Sequence, residues 1–235
     1  RDFCLSRGLG DVYKRQPHDI QLAVGLPPAH YQSLCKKFKA YLMRPEIIDF
    51  THNGRTYSIE ITDVQCFPQA FAAAMTRYNT EMGKRATVID LGGYTADYIQ
   101  IVDGKPLIEH SDSLENGVIH LYHRIMQEIN CIMDTRLKES DIDLIIRGNP
   151  HYPEQLIKIV DQQVRQYLDD FIGQLRERQI DLRVGQTVII GGGGILLRKY
   201  IEQNPWIQHI TFIDDIRANA HGYQLMYETL RRKGG

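Results

Sequence analysis

No apolar run in the 235-residue chain approaches the ~18 residues that a membrane-spanning helix needs. The longest candidate, Val188 to Leu197, is short and rich in glycine. The first residues are polar and charged, so no secretory signal is read there. Charge of one sign is missing as well. The 28 Lys and Arg and 29 Asp and Glu leave a net charge of −1. Gripping bare nucleic acid through its phosphates takes a basic field, so direct DNA or RNA binding is not expected. Cysteine is scarce: Cys4, Cys35, Cys66 and Cys131 include no CxxC pair, which excludes a zinc knuckle or a CxxC redox motif. The plain reading is reduced, buried thiols in a cytoplasmic protein. His120 and His123 share a helical spacing, but no carboxylate or thiol is spaced to complete a metal site. There is no Walker loop and no GxGxxG fingerprint. A hydrophobic content of 43% with 24% charged residues excludes general disorder.

What is present reads as alternating strands and helices. Residues 1–16 (RDFCLSRGLGDVYKRQ) show neither strand alternation nor a helical stripe. They are read as a non-native leader and left out of fold reasoning. Ile20 to Leu26 is a buried-strand pattern stopped by Pro27-Pro28. Tyr31 to Leu42 reads as a helix with Lys36, Lys37 and Lys39 on a solvated face. Ile47 to Phe50 and Arg55 to Ile61 flank Asn53-Gly54, the strongest short hairpin signal. Val64 to Phe67 reads as a further short strand, and Gln69 to Tyr78 as an alanine-rich helix. Ala86 to Leu91 and Ala96 to Val102 are strands joined by Gly92-Gly93-Tyr94-Thr95, and Asp103-Gly104 turns the chain into Pro106 to Glu109. Helices are expected at Gly117 to Asn130, Pro153 to Arg178 and Ala218 to Arg232. Strands are expected at Ile142 to Ile146, Thr187 to Ile190 and Ile210 to Ile213, with a helix through Ile201 after Gly191 to Gly194. The pattern indicates an α/β fold with mixed sheets flanked by helices.

Three constellations carry chemistry. Asp90-Leu91-Gly92-Gly93-Tyr94-Thr95 places glycines where backbone approaches a ligand and consecutive amides form an anion nest. Asp90 ends a strand, where a carboxylate holds a hydrated Mg²⁺ that bridges phosphates. A plain β-turn has the same composition. Val188 to Gly194 puts four glycines after a β-branched strand, a poor choice for stability unless backbone must pass close to something. A tight strand-to-helix turn is the simpler alternative. Gln69, in Phe67-Pro68-Gln69-Ala70, cannot serve as a useful base but can orient a water by donating and accepting. Read singly, it is a surface residue at a helix start.

In this order, the three segments resemble the actin, heat-shock chaperone and sugar kinase superfamily, and within it the ParM/StbA plasmid-segregation actins. Asp90 to Thr95 are similar to the second phosphate loop, Asp-Leu-Gly-Gly-Thr-Thr, with Tyr94 in place of a Thr. Ile190 to Gly193 are similar to the adenosine loop, and Pro68-Gln69 falls where the family carries its water-orienting residue. Leu22 to Pro27, Ser113 to Gly117, and Asn219 with Gly222 extend the resemblance over about residues 17 to 232.

The resemblance implies an RNase H-like, actin-type ATPase fold. Residues 17–85 would be the remainder of domain I and 86–216 domain II with the nucleotide loops. Residues 217–235 would be a C-terminal helix packing back toward domain I. It implies ATP and Mg²⁺ as cofactors, with Gly92, Gly93, Thr95 and Gly117 at the phosphates. Gly191, Gly192 and Gly193 would sit at the adenosine, Asp90 at the hydrated metal and Gln69 at the attacking water. It implies filaments of the chain itself that move plasmid DNA through a DNA-binding adaptor, in the cytoplasm and away from membranes. The family's first phosphate loop has no counterpart in this sequence, so it is expected upstream, and the chain as given is expected to bind ATP weakly or not at all and to be inactive as an ATPase. The alternatives are a non-polymerising ATPase of the same superfamily, of cell-division or pilus-assembly type, a sugar or acid kinase using Asp97 as base, and a degenerate protein-contact domain.

Overall fold

The computed structural model describes residues 17–78, 82 and 84–234. The leader read at residues 1–16 lies outside them. Two sheets organise the chain. The smaller has the order β1-β3-β2, from His18–Leu26 (β1), Ile48–His52 (β2) and Arg55–Pro68 (β3). β1 pairs parallel with β3, and β2 antiparallel with it. The hairpin turn has both central residues at positive φ, Asn53 at 50° and Gly54 at 73°, as an Asn-Gly turn requires. Helix α1 (Pro28–Leu42) starts with Pro28 in its first turn, where a missing N–H costs nothing. It packs on β3.

The larger sheet has the order β6-β5-β4-β7-β8, from Arg85–Leu91 (β4), Ala96–Val102 (β5), Lys105–Leu114 (β6), Gln186–Ile190 (β7) and Ile210–Phe212 (β8). β4, β5 and β6 form an antiparallel meander, while β7 and β8 run parallel to β4. Both faces are covered, which is why β4 and β7 read as nearly continuous apolar runs. One face, through Ile89, Leu91, Ala96 and Tyr98, packs on helices α3 (Val118–Met133), α4 (Glu139–Ile146) and α5 (Glu154–Glu177). Helix α5 buries Leu156, Val160, Val164, Tyr167, Leu168, Phe171, Ile172 and Leu175, a stripe of helical period. The other face, through Ala86, Val88, Ile99, Ile101, Val188 and Ile190, packs on helix α2 (Phe71–Met75) and on the start of helix α8 (Ala218–Gly234).

Two short helices, α6 (Gly191–Leu196) and α7 (Arg198–Gln203), lead from β7 toward β8. Helix α8 then packs on α2, β1 and β3, so the C-terminal segment ties the two sheets together. Gly222 makes this possible: a Cβ there would overlap the Ala72 carbonyl.

Four readings of local structure are corrected. Ile142 to Ile146 is helical, the end of α4, because Asp141 accepts a hydrogen bond from the Lys138 N–H at 2.9 Å and caps a helix start. Val64 to Phe67 is the end of β3 and not a separate strand. The helix expected from Gln69 to Tyr78 is one short turn-and-a-half, Phe71–Met75, because Ala70 takes φ 61° and breaks the entry. β6 runs on from the expected Pro106 to Glu109 as far as Leu114.

Candidate functional site

The two glycine turns emerge side by side. β4 and β7 are parallel neighbours with Asp90 opposite Ile190, so Gly92 and Gly191 leave the same edge of the sheet. An added Cβ on Gly191 would sit 2.5 Å from Asp90 Oδ1, and one on Gly193 2.9 Å from the Leu91 carbonyl. Gly191 also has φ +86°, a conformation that side chains resist. Gly191 and Gly193 therefore permit contact with the first turn. Gly192 differs: a Cβ there would meet nothing within 4 Å.

The first turn is held from behind. The Gly92 N–H donates to the Thr95 carbonyl at 2.9 Å. The carbonyls of Gly92, Gly93 and Tyr94 accept from the N–H groups of Val118, Ile119 and Gly117 at 3.1, 2.9 and 3.0 Å. The turn thus caps helix α3, and Gly117 is the glycine that lets helix and turn touch: its Cβ would meet Gly93 and Tyr94 backbone at 2.5 Å. Among the described residues, the N–H groups of Gly93, Tyr94 and Thr95 donate to no other backbone group. Consecutive free amides on a turn are the makings of an anion nest. Tyr94, where the resembled family has Thr, points into solvent at 81% exposure.

Two carboxylates stand behind the nest. Asp90 and Asp97 are direct cross-strand partners and point to the same face. Cβ atoms so paired lie about 5 Å apart, and like charges there repel. Burial holds the Asp90 carboxyl above its usual range, with Asn219 pulling the other way and Asp97 adding to the rise. Burial also raises Asp97, against the neighbouring Ser113 and Thr95 hydroxyls and His30, with Asp112 adding to the rise. Asp97 Oδ1 and the Ser113 hydroxyl are both buried without a hydrogen bond of normal geometry, so the hydroxyls favour the charge only from nearby. A paired carboxylate at a strand end, with Asp97 Oδ1 buried and left without a hydrogen bond, suits a cation or a proton. Among the described residues, no group of three His, Cys, Asp or Glu side chains is clustered to hold a metal by itself.

Gln69 lies at the same edge. Its N–H donates to the Leu26 carbonyl at 2.9 Å, and the Phe71 N–H closes a three-residue turn onto the Gln69 carbonyl at 2.6 Å. Ala70, at φ 61° and ψ −55°, is the strained centre of that γ-turn. Asn219, from the first turn of α8, spans the gap. Its carbonyl oxygen accepts from the Ala70 N–H at 2.9 Å, and its amide donates to Asp90 Oδ2 at 3.1 Å. Tyr223, one turn on, lies over Gly25 and stacks on Phe67 with centroids 6.3 Å apart. Burial pushes its hydroxyl up to about 12, with Gln69 pulling the other way and Asp90 and Cys66 adding to the rise.

The structure therefore brings together Gln69, Asp90, Gly92, Gly93, Thr95, Gly117, Gly191, Gly192 and Gly193. Reading the sequence considered Asp97 only as the base of a kinase, missed Tyr223 as a member of this group and gave Asn219 no role. The signal for Asp97 was present: a hairpin that closes Leu91 on Ala96 must pair Asp90 with Asp97.

Two family models match the chain. One describes the N-terminal domain of actin-like proteins and matches residues 2–71. The other describes the C-terminal part of an archaeal, MreB-like actin homologue and matches residues 88–203. Among curated proteins there is no match. Solved structures with the same fold include an archaeal actin homologue, Ta0583, at 21% identity and TM-score 0.73, with 96% of this chain and 75% of that one covered. A structure titled as an Alp12 filament shares 17% identity at TM-score 0.69, over 92% of this chain and 70% of that one. ParM from Bacillus thuringiensis, solved with ATP, shares 14% identity at TM-score 0.60, over 97% and 73%. No helix among the described residues is long and apolar enough to cross a membrane. Matched in both its halves by models of actin-like proteins and folded as they are, the chain belongs to the actin-like family.

Proposed function

We propose that the protein binds and hydrolyses ATP at the paired glycine turns and uses the cycle to control its own filaments. The observation that carries this reading is the free row of amides at Gly93, Tyr94 and Thr95, set in front of the Asp90–Asp97 pair. The amides suit phosphate oxygens, and the exposed Gly192 leaves room for a flat adenosine. The Asp90 carboxylate suits a hydrated Mg²⁺, since one carboxylate plus phosphates and waters is how that ion is commonly held. Bound there, Mg²⁺ would offset charge on the phosphates. Gln69, pinned through its backbone, would orient the attacking water by donating and accepting. Positioning and charge placement supply most of the catalysis in such a transfer.

Relatives of this fold include a filament and an ATP complex, which favours self-association and nucleotide binding here as well. The finer reading is a cytoplasmic, ParM-type segregation protein that reaches plasmid DNA through a separate adaptor. The net charge of −1 fits an indirect link to DNA. A non-polymerising ATPase of the same family is the second reading.

Phosphate release with Mg-ATP, measured on a full-length protein that includes the upstream phosphate loop, tests the site. Turnover in the wild type that survives unchanged in Asp90→Ala would sink the assignment. Light scattering tests the filament: an ATP-dependent rise supports assembly, and a flat signal alongside steady turnover favours the monomeric ATPase.

A further inference from the structure

We propose that Cys35 and Cys66 form a dithiol site that small disulfides such as glutathione disulfide oxidise to an intramolecular bridge between α1 and β3. The argument begins with the helix face. Tyr31, Cys35 and Lys39 follow one another at intervals of four on α1, so they stack along one side of it. The two flanking residues are both tied to the end of β3. The Tyr31 hydroxyl donates to the Cys66 carbonyl at 3.2 Å, and Lys39 Nζ donates to Gln65 Oε1 at 3.0 Å. A helix fastened above and below Cys35 sets that thiol against Cys66. The Cys66 thiol responds accordingly. Burial pushes it up to about 12, Cys35 beside it adds a Coulombic and a hydrogen-bond contribution, and Lys39 opposes the rise.

The expectation that all the cysteines are buried is thus corrected. Cys66 is buried, Cys35 is half-buried and Cys131 is exposed, while Cys4 lies outside the described residues. The asymmetry assigns the roles. Cys35 is the thiol a reagent reaches, and Cys66 is shielded from solvent but not from Cys35. Lys39, one turn on from Cys35 on the same side of α1, gives the approach a positive charge, which suits an anionic tripeptide disulfide.

The chemistry balances as two exchanges. The Cys35 thiolate attacks one sulfur of glutathione disulfide, forming a mixed disulfide and expelling one glutathione thiolate. Cys66 then loses its proton and attacks the Cys35 sulfur, expelling the second. Two protein thiols are oxidised, one glutathione disulfide is reduced to two thiols, and the two protons pass to the leaving groups. The high basicity of Cys66 makes its deprotonation costly, but the attack is intramolecular, and proximity of this kind is worth many orders of magnitude in effective concentration. The bridge would close a loop of about 30 residues and restrain the unfolded chain. It would also fix α1 to the strand that ends one residue before Gln69.

The site stands apart from the nucleotide reading and is tested without it. The full chain carrying Cys4→Ser and Cys131→Ser is equilibrated in glutathione buffers of increasing disulfide content. Peptide mapping without reductant should find the Cys35 and Cys66 peptides joined, with the intact mass lower by about two hydrogens, and the bridged protein should melt at a higher temperature than the reduced one. Cys35→Ser should abolish the bridge and leave Cys66 unmodified in the folded chain, with Cys35→Ala as the check that folding is intact. A stable glutathione adduct left on Cys35, cross-links only between chains, or two free thiols at the most oxidising ratio would each overturn the proposal.

Discussion

The two glycine turns look alike in sequence and do opposite work. At Gly191 and Gly193 the missing side chains are filled by protein: Asp90, Leu91 and Val118 lie where a Cβ would go. At Gly93 the nearest atom to an added Cβ is the tip of Ile119 at 3.5 Å, an ordinary contact, and among the described residues the N–H groups of Gly93, Tyr94 and Thr95 donate to no backbone group. One turn is glycine-rich so that the sheet edge can close on itself, and on the proposed reading the other is glycine-rich so that backbone is offered to a ligand. Counting glycines cannot separate these cases. The positive φ of Gly191 and the hydrogen bonds behind Gly92 do.

The comparison can be broken by substitution, and the largest effect falls on the packed turn. Gly191→Ala must relieve both a positive φ and a 2.5 Å approach to Asp90, and should cost roughly 3 kcal/mol or more in urea unfolding. A cost below about 1 kcal/mol would mean the turns are not in contact. Asn219→Ala should come next, at about 1–3 kcal/mol, since it strands the Ala70 N–H and leaves Asp90 with a repelling neighbour and no donor. Asp97→Asn should change the pH dependence instead. A carboxyl raised on folding binds its proton more tightly in the folded state, so its contribution to stability is full below the unfolded value near 3.8 and is lost as pH rises through the folded value. The variant should therefore be more stable than wild type at pH 7 and show no such gain at pH 4 in paired denaturation curves. Gly192→Ala should have the smallest effect on stability, a gain of up to about 1 kcal/mol from helix propensity, because nothing occupies the space. If ATP binds as proposed, the same change should weaken its affinity while the melting temperature holds or rises.

Much of this was legible in the chain. Proline after Leu26, Asn53-Gly54 and Asp103-Gly104 mark the ends of strands because each fixes a backbone geometry that few other residues can adopt. The pairing of Asp90 with Asp97 followed from the hairpin alone. Ile142 to Ile146 was ambiguous because five apolar residues fit a buried strand and a buried helix turn equally, and the deciding cap was an Asp141 contact with backbone. The strain at Ala70 was invisible, since Gln-Ala-Phe followed by three alanines is an acceptable helix start by propensity. It is set from outside, by Asn219, 149 residues further along the chain. Long-range contacts of that kind leave no local trace.

Asn219 also has only one way to lie. Its oxygen must meet an N–H and its nitrogen a carboxylate, so the amide cannot turn over without losing both. The side chain is in effect a gauge block between the carboxylate at one sheet and the strained turn at the other. A change in charge at Asp90 that draws the amide should therefore be felt first at the Ala70 peptide, next to Gln69.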